Sequence, residues 1–192
     1  IPTHKMKTHL WCLWSGTKIN AKMQISVHNK TLDLSTPQVM GILNVTPDSV
    51  YAGSRKQTEQ EIAERTNQII LEGGKIIDVG AFSTGPGSAD VSEEEELLRM
   101  RNGLAIVRRE QPDALVSIDT FRPSVARMAV EEFGADIIND ISEGRGYYNN
   151  TSNENAKVDV DANENEPSDI LLEVARLQVP YILMSVSYTH LR

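Results

Sequence analysis

Residues 40–49 read Met-Gly-Ile-Leu-Asn-Val-Thr-Pro-Asp-Ser. The apolar run 39–43 predicts a buried strand that stops at Asn44, and the Thr-Pro-Asp-Ser sequence after it predicts a turn. A strand therefore delivers one neutral amide side chain to the start of a loop. Such an amide can ligate a hard metal ion or read the hydrogen-bonding edge of a ligand.

From residue 39 onwards, short apolar runs alternate with amphipathic stretches. The runs predict strands at 39–43, 75–79, 114–118, 136–138 and 181–184, and the stretches predict helices at 58–71, 93–110, 123–133 and 168–177. Five strands that alternate with four helices, and that are apolar on both faces, predict a parallel sheet with right-handed crossovers. Ahead of this pattern, residues 23–34 alternate as a small β-hairpin does.

Local signals set the expected ends of these helices. Thr58 and Glu61 match a capping box at the start of the first helix, and Ser92 precedes four acidic residues at the start of the second. Glycine follows the first helix at Gly73 and the third at Gly134, as is typical of helix carboxyl ends.

Composition limits the classes of function. The chain has 192 residues, of which 40% are hydrophobic and 24% charged, which fits one soluble globular domain. A net charge of −8 argues against a nucleic-acid partner, and a single cysteine excludes an internal disulfide or a cysteine metal site. No apolar run approaches the roughly 20 residues that span a membrane. We therefore expect a cytoplasmic protein.

Two segments lie outside the strand and helix pattern. Residues 1–22 show no period and predict an irregular leader before a domain at 23–192. Residues 147–167 are rich in Asn and acidic residues, with almost no large apolar side chain. Such a segment buries too little surface to offset its chain entropy, so we expect a disordered insertion there.

The predicted strands share a polar ending. The first ends at Asn44, the second contains Asp78, the third runs into Asp119 and the fourth into Asn139. In parallel α/β folds, ligands bind at the carboxyl ends of strands. Any one of these residues could equally be an ordinary helix cap, but the repetition favours a ligand edge rich in N–H donors, such as that of a pterin. The Ser- and Gly-rich loop 82–88 could cradle a phosphate.

These motifs, in this order, resemble those of the dihydropteroate synthases. The first signature is the stretch 40–49 quoted above. The second corresponds to Ile-Asp-Val-Gly at 77–80 with Ser-Thr-Gly-Pro-Gly at 83–87, and the next two to Ser-Ile-Asp-Thr at 117–120 and Ile-Asn-Asp-Ile-Ser at 138–142. Residues 177–184 resemble the fifth strand of the family.

The resemblance implies a (β/α)₈ TIM barrel, of which this chain carries about five of the eight β/α units after the N-terminal hairpin. It implies the condensation of 6-hydroxymethyl-7,8-dihydropterin diphosphate with p-aminobenzoate in folate biosynthesis, a homodimer and a sulfonamide target. By position, Asn44 would ligate Mg²⁺, Thr84 would contact the diphosphate, and Asp119 and Asn139 would hold the pterin. Asp78 would support them.

The chain departs from the family pattern at two places. Gly85 stands where the family has Arg, and residues 185–192 resemble none of the later family strands, so His190 is not matched to the family's histidine. An incomplete barrel exposes unpaired strand edges. We therefore expect a marginally stable, aggregation-prone chain without synthase activity. Two alternatives stay open, a methyltetrahydrofolate-dependent methyltransferase domain and a non-catalytic pterin-binding fragment.

Overall fold

The computed structural model describes residues 23–27, 30–46, 52–82, 91–142, 144 and 167–184, with side chains from residue 59 onwards in the helix that begins at residue 52. The predictions for the leader 1–22, for Thr84 and Gly85, for residues 147–166 of the insertion and for the tail with His190 lie outside these residues.

The described elements form a hairpin followed by an alternating β/α succession. In chain order they are β1 (Gln24–Val27), β2 (Lys30–Asp33), β3 (Met40–Asn44), α1 (Ala52–Leu71), β4 (Ile76–Gly80), α2 (Glu93–Glu110), β5 (Leu115–Asp119), α3 (Pro123–Phe133), β6 (Ile137–Asp140), α4 (Asp169–Leu177) and β7 (Tyr181–Leu183). Strands β3 to β7 form one parallel sheet in sequential order, and β1 pairs with β2 antiparallel. The predicted hairpin and parallel α/β sheet are thus confirmed.

The two faces of the parallel sheet have different coverings. On the outer face, the apolar side chains of the strands pack against the four helices in one core, which includes Leu43, Val79, Ile118 and Ile138. On the inner face, Leu32 of the hairpin packs with Ile76 and Ile137 in a smaller cluster. The hairpin therefore covers the part of the inner face near the amino ends of the strands.

The carboxyl-end part of the inner face carries no such apolar cover among the described residues. Ile42, on β3 at the edge of the sheet, is 55% exposed there. A pleated strand sends alternate side chains to opposite faces, so Asn44 lies on the same face as Ile42. The open end of the inner face is therefore where a ligand can approach the strand ends.

One predicted helix start is wrong. Helix α1 begins at Ala52, so Thr58 lies inside the helix and does not cap it with Glu61. Residues 55–57 are Arg-Lys-Gln, which propagate a helix readily, and they extend it ahead of the capping-box pattern. The carboxyl end matches expectation, since Gly73 has a φ of +95° and Gly74 donates its N–H to the carbonyl of Ile69 at 2.9 Å.

The other helix boundaries follow their sequence signals. Ser92 caps α2 by accepting the N–H of Glu95 at 3.3 Å. Helix α3 starts with Pro123 and ends at Gly134, whose φ of +62° needs a residue that tolerates the left-handed region. None of the helices in the described ranges is both long and apolar enough to cross a lipid bilayer.

Close packing of α2 against the strand ends depends on Gly103. A Cβ at this position would lie 2.6 Å from Cγ1 of Val45. We expect Gly103→Ala to destabilise the fold by about 1–3 kcal/mol, because the overlap outweighs the gain of up to about 1 kcal/mol in helix propensity. Urea denaturation measures the change. Asn102→Ala, on the exposed face of the same helix, is the control and should not lower stability; an equal loss in both variants would contradict the packing argument.

Candidate functional site

Four residues line up across the carboxyl end of the sheet. Asn44 is the register partner of Gly80, Gly80 of Asp119, and Asp119 of Asn139. Laterally paired residues in a parallel sheet share a face, so Asn44, Asp119 and Asn139 project from the inner face together. We call these four residues the upper row. The structure thus brings three of the predicted site residues together.

A second row lies two residues deeper in the sheet. Asp78 pairs with Ser117 across β4 and β5, and Ile42 pairs with Asp78 on the other side. The same alternation places Asp78 and Ser117 on the inner face below the upper row. Asp78 therefore lies on the inner face, in a floor below the upper row. Ser117 is a floor residue that the sequence argument did not select.

Gly80 leaves space between two of the polar side chains. A Cβ on Gly80 would lie 3.5 Å from Oδ1 of Asn44 and 3.5 Å from Oδ2 of Asp119. Any side chain at this position would stand between the amide and the carboxylate. The glycine therefore keeps the centre of the upper row open.

Asp78 and Asn139 are joined by a buried hydrogen bond. Nδ2 of Asn139 donates to Oδ2 of Asp78 at 3.0 Å, and the side chains are only 3% and 5% exposed, respectively. Their other oxygens, Oδ1 of Asn139 and Oδ1 of Asp78, have no partner among the described residues, and neither does Oγ of Ser117. Buried polar atoms are normally paired. Unsatisfied acceptors below the upper row suit a ligand or a neighbouring side chain that brings N–H or O–H donors.

Burial and neighbouring carboxylates change the acidity of this site. Burial raises the pKa of Asp119 to about 7, with further contributions from the negative charges of Asp78, Glu96 and Asp140. Burial also raises the pKa of Asp78, while the nearby side chains of Ser117 and Asn139 oppose the shift. An excess of buried negative charge favours a ligand that brings N–H donors or positive charge.

Behind the upper row lies a buried ion pair that the sequence did not reveal. Glu96 of α2 is fully buried, accepts the hydroxyl of Thr120 at 2.7 Å and pairs with Nη1 of Arg122. Thr120 and Arg122 directly follow Asp119, so the pair ties the end of β5 to α2. Burial raises the pKa of Glu96, and Thr120 and Arg122 oppose that shift.

Arg122 also joins the two chain segments that flank residues 83–90. Its Nη2 donates to the carbonyl of Val91 at 2.7 Å. Its guanidinium lies 5.6 Å from the ring centroid of Phe82 and 5.4 Å from that of Phe121, and the two rings meet edge to face. The end of β4, the start of α2 and the end of β5 are therefore held by one side chain.

Asp140 belongs to the opposite face of β6. Its carboxylate accepts the N–H groups of Ser142 at 2.6 Å and Gly144 at 3.1 Å, together with the hydroxyl of Tyr181. A fully buried carboxylate with three donors holds the turn after β6 in place. The polar pair at the end of this strand thus divides into Asn139 on the inner face and Asp140, which holds the turn on the opposite face.

The described residues supply only part of the coordination shell of a divalent cation. In the parts of the chain that the structure describes, no group of three His, Cys, Asp or Glu side chains could hold a metal. Asn44 is exposed at the rim of the upper row and offers one hard amide oxygen. Mg²⁺ commonly uses one or two protein oxygens and completes its shell with water and substrate phosphates. Asn44 fits that kind of site.

Comparison with known proteins identifies the family of this chain. The Dihydropteroate synthase of Escherichia coli K12 is 43% identical over 119 residues, which are 62% of this chain and 42% of that protein. The chain thus spans about two fifths of the length of this curated relative.

The solved structures that resemble this chain are also dihydropteroate synthases. Dihydropteroate synthase from Xanthomonas albilineans, solved with 4-aminobenzoic acid, matches 84% of this chain and 52% of its own, with a TM-score of 0.63 and 31% identity. The enzyme from Anaplasma phagocytophilum, solved with bound 6-hydroxymethylpterin-monophosphate, matches 76% of this chain and 48% of its own, with a TM-score of 0.59 and 29% identity. These neighbours are TIM barrels, and the five-stranded sheet is part of such a barrel.

The model of the family described as Pterin binding enzyme matches residues 40–189, well over half of the 192 residues. This range contains the whole parallel sheet and both rows of the site. The chain therefore belongs to the pterin binding enzyme family.

Proposed function

We propose that the upper row and its floor are the pterin side of a dihydropteroate synthase site, which takes 6-hydroxymethyl-7,8-dihydropterin diphosphate. The observation that carries the proposal is the alignment of Asn44, Asp119 and Asn139 above a floor with unsatisfied acceptors. The relatives at 43% and 31% identity are synthases, which supports the same reaction class.

The ligand edge follows from the hydrogen-bonding capacity of the site. The carboxylate of Asp119 only accepts hydrogen bonds, and Asn139 directs its free Oδ1 away from its bond to Asp78. The amino and ring N–H groups of a pterin supply the matching donors. Asp119 and Asn139 would therefore bind the heterocycle and fix its orientation in the upper row.

The same residues would assist the chemistry. The reaction breaks the bond between the pterin methylene carbon and the diphosphate oxygen, forms a carbon–nitrogen bond to the arylamine and releases one proton from that amine. Positive charge develops on the pterin as diphosphate leaves. The buried negative charge of Asp119 and Asp78 stabilises that charge, since electrostatic interactions are strong where water is excluded.

We assign Mg²⁺ to the diphosphate end, with Asn44 as its protein ligand. The exposed amide oxygen of Asn44 stands at the rim, beside the space that Gly80 keeps open. When bound, the ion neutralises charge on the leaving diphosphate. Thr84, which lies outside the described residues, is proposed as a diphosphate contact, and p-aminobenzoate as the second substrate. A homodimer, a cytoplasmic location and the role of sulfonamide target, which the family resemblance implies, also stay predictions.

Titration calorimetry of the 192-residue chain tests this function. We expect 6-hydroxymethyl-7,8-dihydropterin diphosphate to bind with Mg²⁺, and Asn44→Ala to remove the Mg²⁺ dependence without removing binding. A methyltetrahydrofolate-dependent domain would instead bind methyltetrahydrofolate in preference to the pterin diphosphate. Binding without product formation on addition of p-aminobenzoate is the expected result, since the chain would then act as a pterin-binding fragment, and product formation would contradict the expected lack of synthase activity. Absence of binding by all of these ligands would contradict the proposal.

Gly80→Ala is expected to affect ligand binding without affecting the stability of the fold. The added methyl group meets only ordinary contacts at 3.5 Å in the ligand-free site, so we expect little change in stability. It projects into the centre of the upper row, so we expect pterin affinity to fall by at least about tenfold, as an overpacked contact does. Gly41→Ala is the contrast and should lower the stability of the fold, because its Cβ would lie 2.6 Å from Cγ2 of Ile69 in the outer core. Unchanged affinity in Gly80→Ala would show that the ligand lies elsewhere.

A further inference from the structure

Ser117 is a polar residue in the middle of an otherwise apolar strand. Its neighbours in β5, Val116 and Ile118, are fully buried on the helix side of the sheet, whereas Ser117 faces inward, two residues below Asp119. Its side chain is also fully buried. A buried hydroxyl on a packed strand costs free energy unless it is hydrogen-bonded, so its presence calls for a partner.

The partner that the fold offers is Asp78. The two residues are paired in the register of β4 and β5, and neighbouring strands lie only about 4.8 Å apart. Oγ of Ser117 and Oδ1 of Asp78 are both buried and both lack a hydrogen bond of good geometry within the described residues. A donor and an acceptor, each unsatisfied, therefore stand side by side below the ligand face.

Asp78 is in turn the residue that orients Asn139. Nδ2 of Asn139 donates to Oδ2 of Asp78 at 3.0 Å, so Asp78 sets the orientation of the amide, and Oδ1 of Asn139 is left without a partner among the described residues. If Asp78 moved or rotated, the amide could turn its NH₂ group toward the ligand, and donors would then oppose donors. The geometry of Asn139 thus depends on Asp78.

No described cation contacts Asp78, so neutral groups must hold it. The facing residue on β3 is the apolar Ile42, those on β5 are Ser117 and the acidic Asp119, and that on β6 is Asn139. Glu96 and Asp140 add negative charge near Asp119. The nearby Ser117 and Asn139 side chains already oppose the burial that raises the pKa of Asp78.

We propose that Ser117 is a positioning residue for pterin binding, which donates its hydroxyl to Oδ1 of Asp78 and so fixes the carboxylate that orients the Asn139 amide. The inference rests on the proposed function, since the ligand it serves is the donor-rich edge of a pterin. The order of contacts is Ser117 to Asp78, Asp78 to Asn139, and Asn139 to the heterocycle. Ser117 itself does not touch the ligand.

The test uses the full chain and 6-hydroxymethylpterin monophosphate as the probe, with binding followed by pterin fluorescence. We expect Ser117→Ala to weaken binding by about five- to tenfold, less than the direct loss of a hydrogen bond to a charged group, because Ser117 acts on the ligand only through Asp78 and Asn139. Ser117→Thr keeps the hydroxyl and should bind within about twofold of the parent chain, and Ser117→Cys, similar in size but a weak donor, should behave like Ser117→Ala. If Ser117→Ala fails to fold, the Cys and Thr variants provide the same comparison.

A double-mutant cycle distinguishes positioning from a merely structural role. In a chain that already carries Asp78→Ala, Ser117→Ala should weaken binding by less than about twofold, because the acceptor through which Ser117 acts is gone. An equal loss in both backgrounds, or no loss in the parent chain, would overturn the inference and leave the proposed function standing. A parent chain that does not bind the probe would overturn the proposed function, and the inference with it.

Discussion

Asp119→Asn is expected to weaken pterin binding strongly while making the folded chain more stable near pH 8. The carboxylate offers only acceptors to the N–H edge of the heterocycle, whereas an asparagine can turn an NH₂ group toward it. A buried hydrogen-bonded group of this kind is worth about 1.5–3 kcal/mol, so affinity should fall by roughly 10- to 100-fold or more. Stability should rise because the substitution removes a partly buried carboxylate that also lies near the negative charges of Asp78, Glu96 and Asp140.

The raised pKa of Asp119 determines the direction in which stability and pterin affinity change with pH. Since the pKa of Asp119 is raised to about 7, the folded chain holds a proton that the unfolded chain has released. The stability of the parent chain relative to Asp119→Asn should therefore fall as the pH rises from about 4 to about 7, and level off above that. Pterin affinity of the parent chain should rise over pH 6–8, as the carboxylate ionises, and that of Asp119→Asn should not.

Chemical denaturation and probe binding, both measured at several pH values, check these outcomes. Asp113→Asn is the matched control, because Asp113 is an exposed acid in the turn before β5, away from the carboxyl end of the sheet. It changes the net charge by the same amount and should leave both binding and its pH dependence unaltered. Retention of full pterin affinity in Asp119→Asn would show that the upper row does not hold the pterin.

Arg122→Met is expected to destabilise the chain by about 3–5 kcal/mol, the largest loss among the substitutions considered. The loss arises because Glu96 stays behind as a fully buried carboxylate whose remaining partner is Thr120, at 2.7 Å. Removing one partner of a buried ion pair costs far more than the pair contributes relative to an apolar replacement. The change also releases the contacts of Arg122 to Val91 and to the rings of Phe82 and Phe121.

Two comparisons make the prediction specific to the buried pair. Arg101→Met breaks the exposed pair of Arg101 with Glu132 and should cost less than about 1 kcal/mol, because both side chains are nearly half exposed. Adding Glu96→Gln to Arg122→Met should recover part of the stability, since it removes the uncompensated charge. The loss in Arg122→Met should also be smaller at pH 5 than at pH 8, as Glu96 can then take up a proton. Equal losses in the buried and exposed variants would contradict this explanation.

The strands and their polar ends could be predicted because each signal is local. An apolar run that stops at Asn44, Asp119 or Asn139 places a polar side chain at a strand end, and parallel order brings such ends to one edge of the sheet. The register then aligns the three residues in one row. Capping signals also predicted the bounds of α2 and α3. The start of α1 was missed because helix-forming residues precede the apparent cap.

Some residues near the site could not be predicted from the sequence, because their roles depend on contacts between distant parts of the chain. Glu96 is one of four consecutive glutamates at the start of α2, and only the packing of this helix behind β5 distinguishes it from its solvated neighbours. The partner role of Arg122 depends on the same packing. Ser117 did carry a signal, since it shares the alternation that places Asp119 on the inner face. In the sequence it reads as one small residue within an apolar strand, and its significance comes from the register with Asp78.

A crystal structure of the 192-residue chain with 6-hydroxymethylpterin monophosphate would locate the pterin on the sheet. We predict that the pterin ring lies on the inner face above Ser117, with hydrogen bonds to the Asp119 carboxylate and to Oδ1 of Asn139, and with its phosphate directed toward Asn44. A pterin bound at any other place, without contact to the Asp119 carboxylate or to Oδ1 of Asn139, would show that this face of the sheet is not the pterin site.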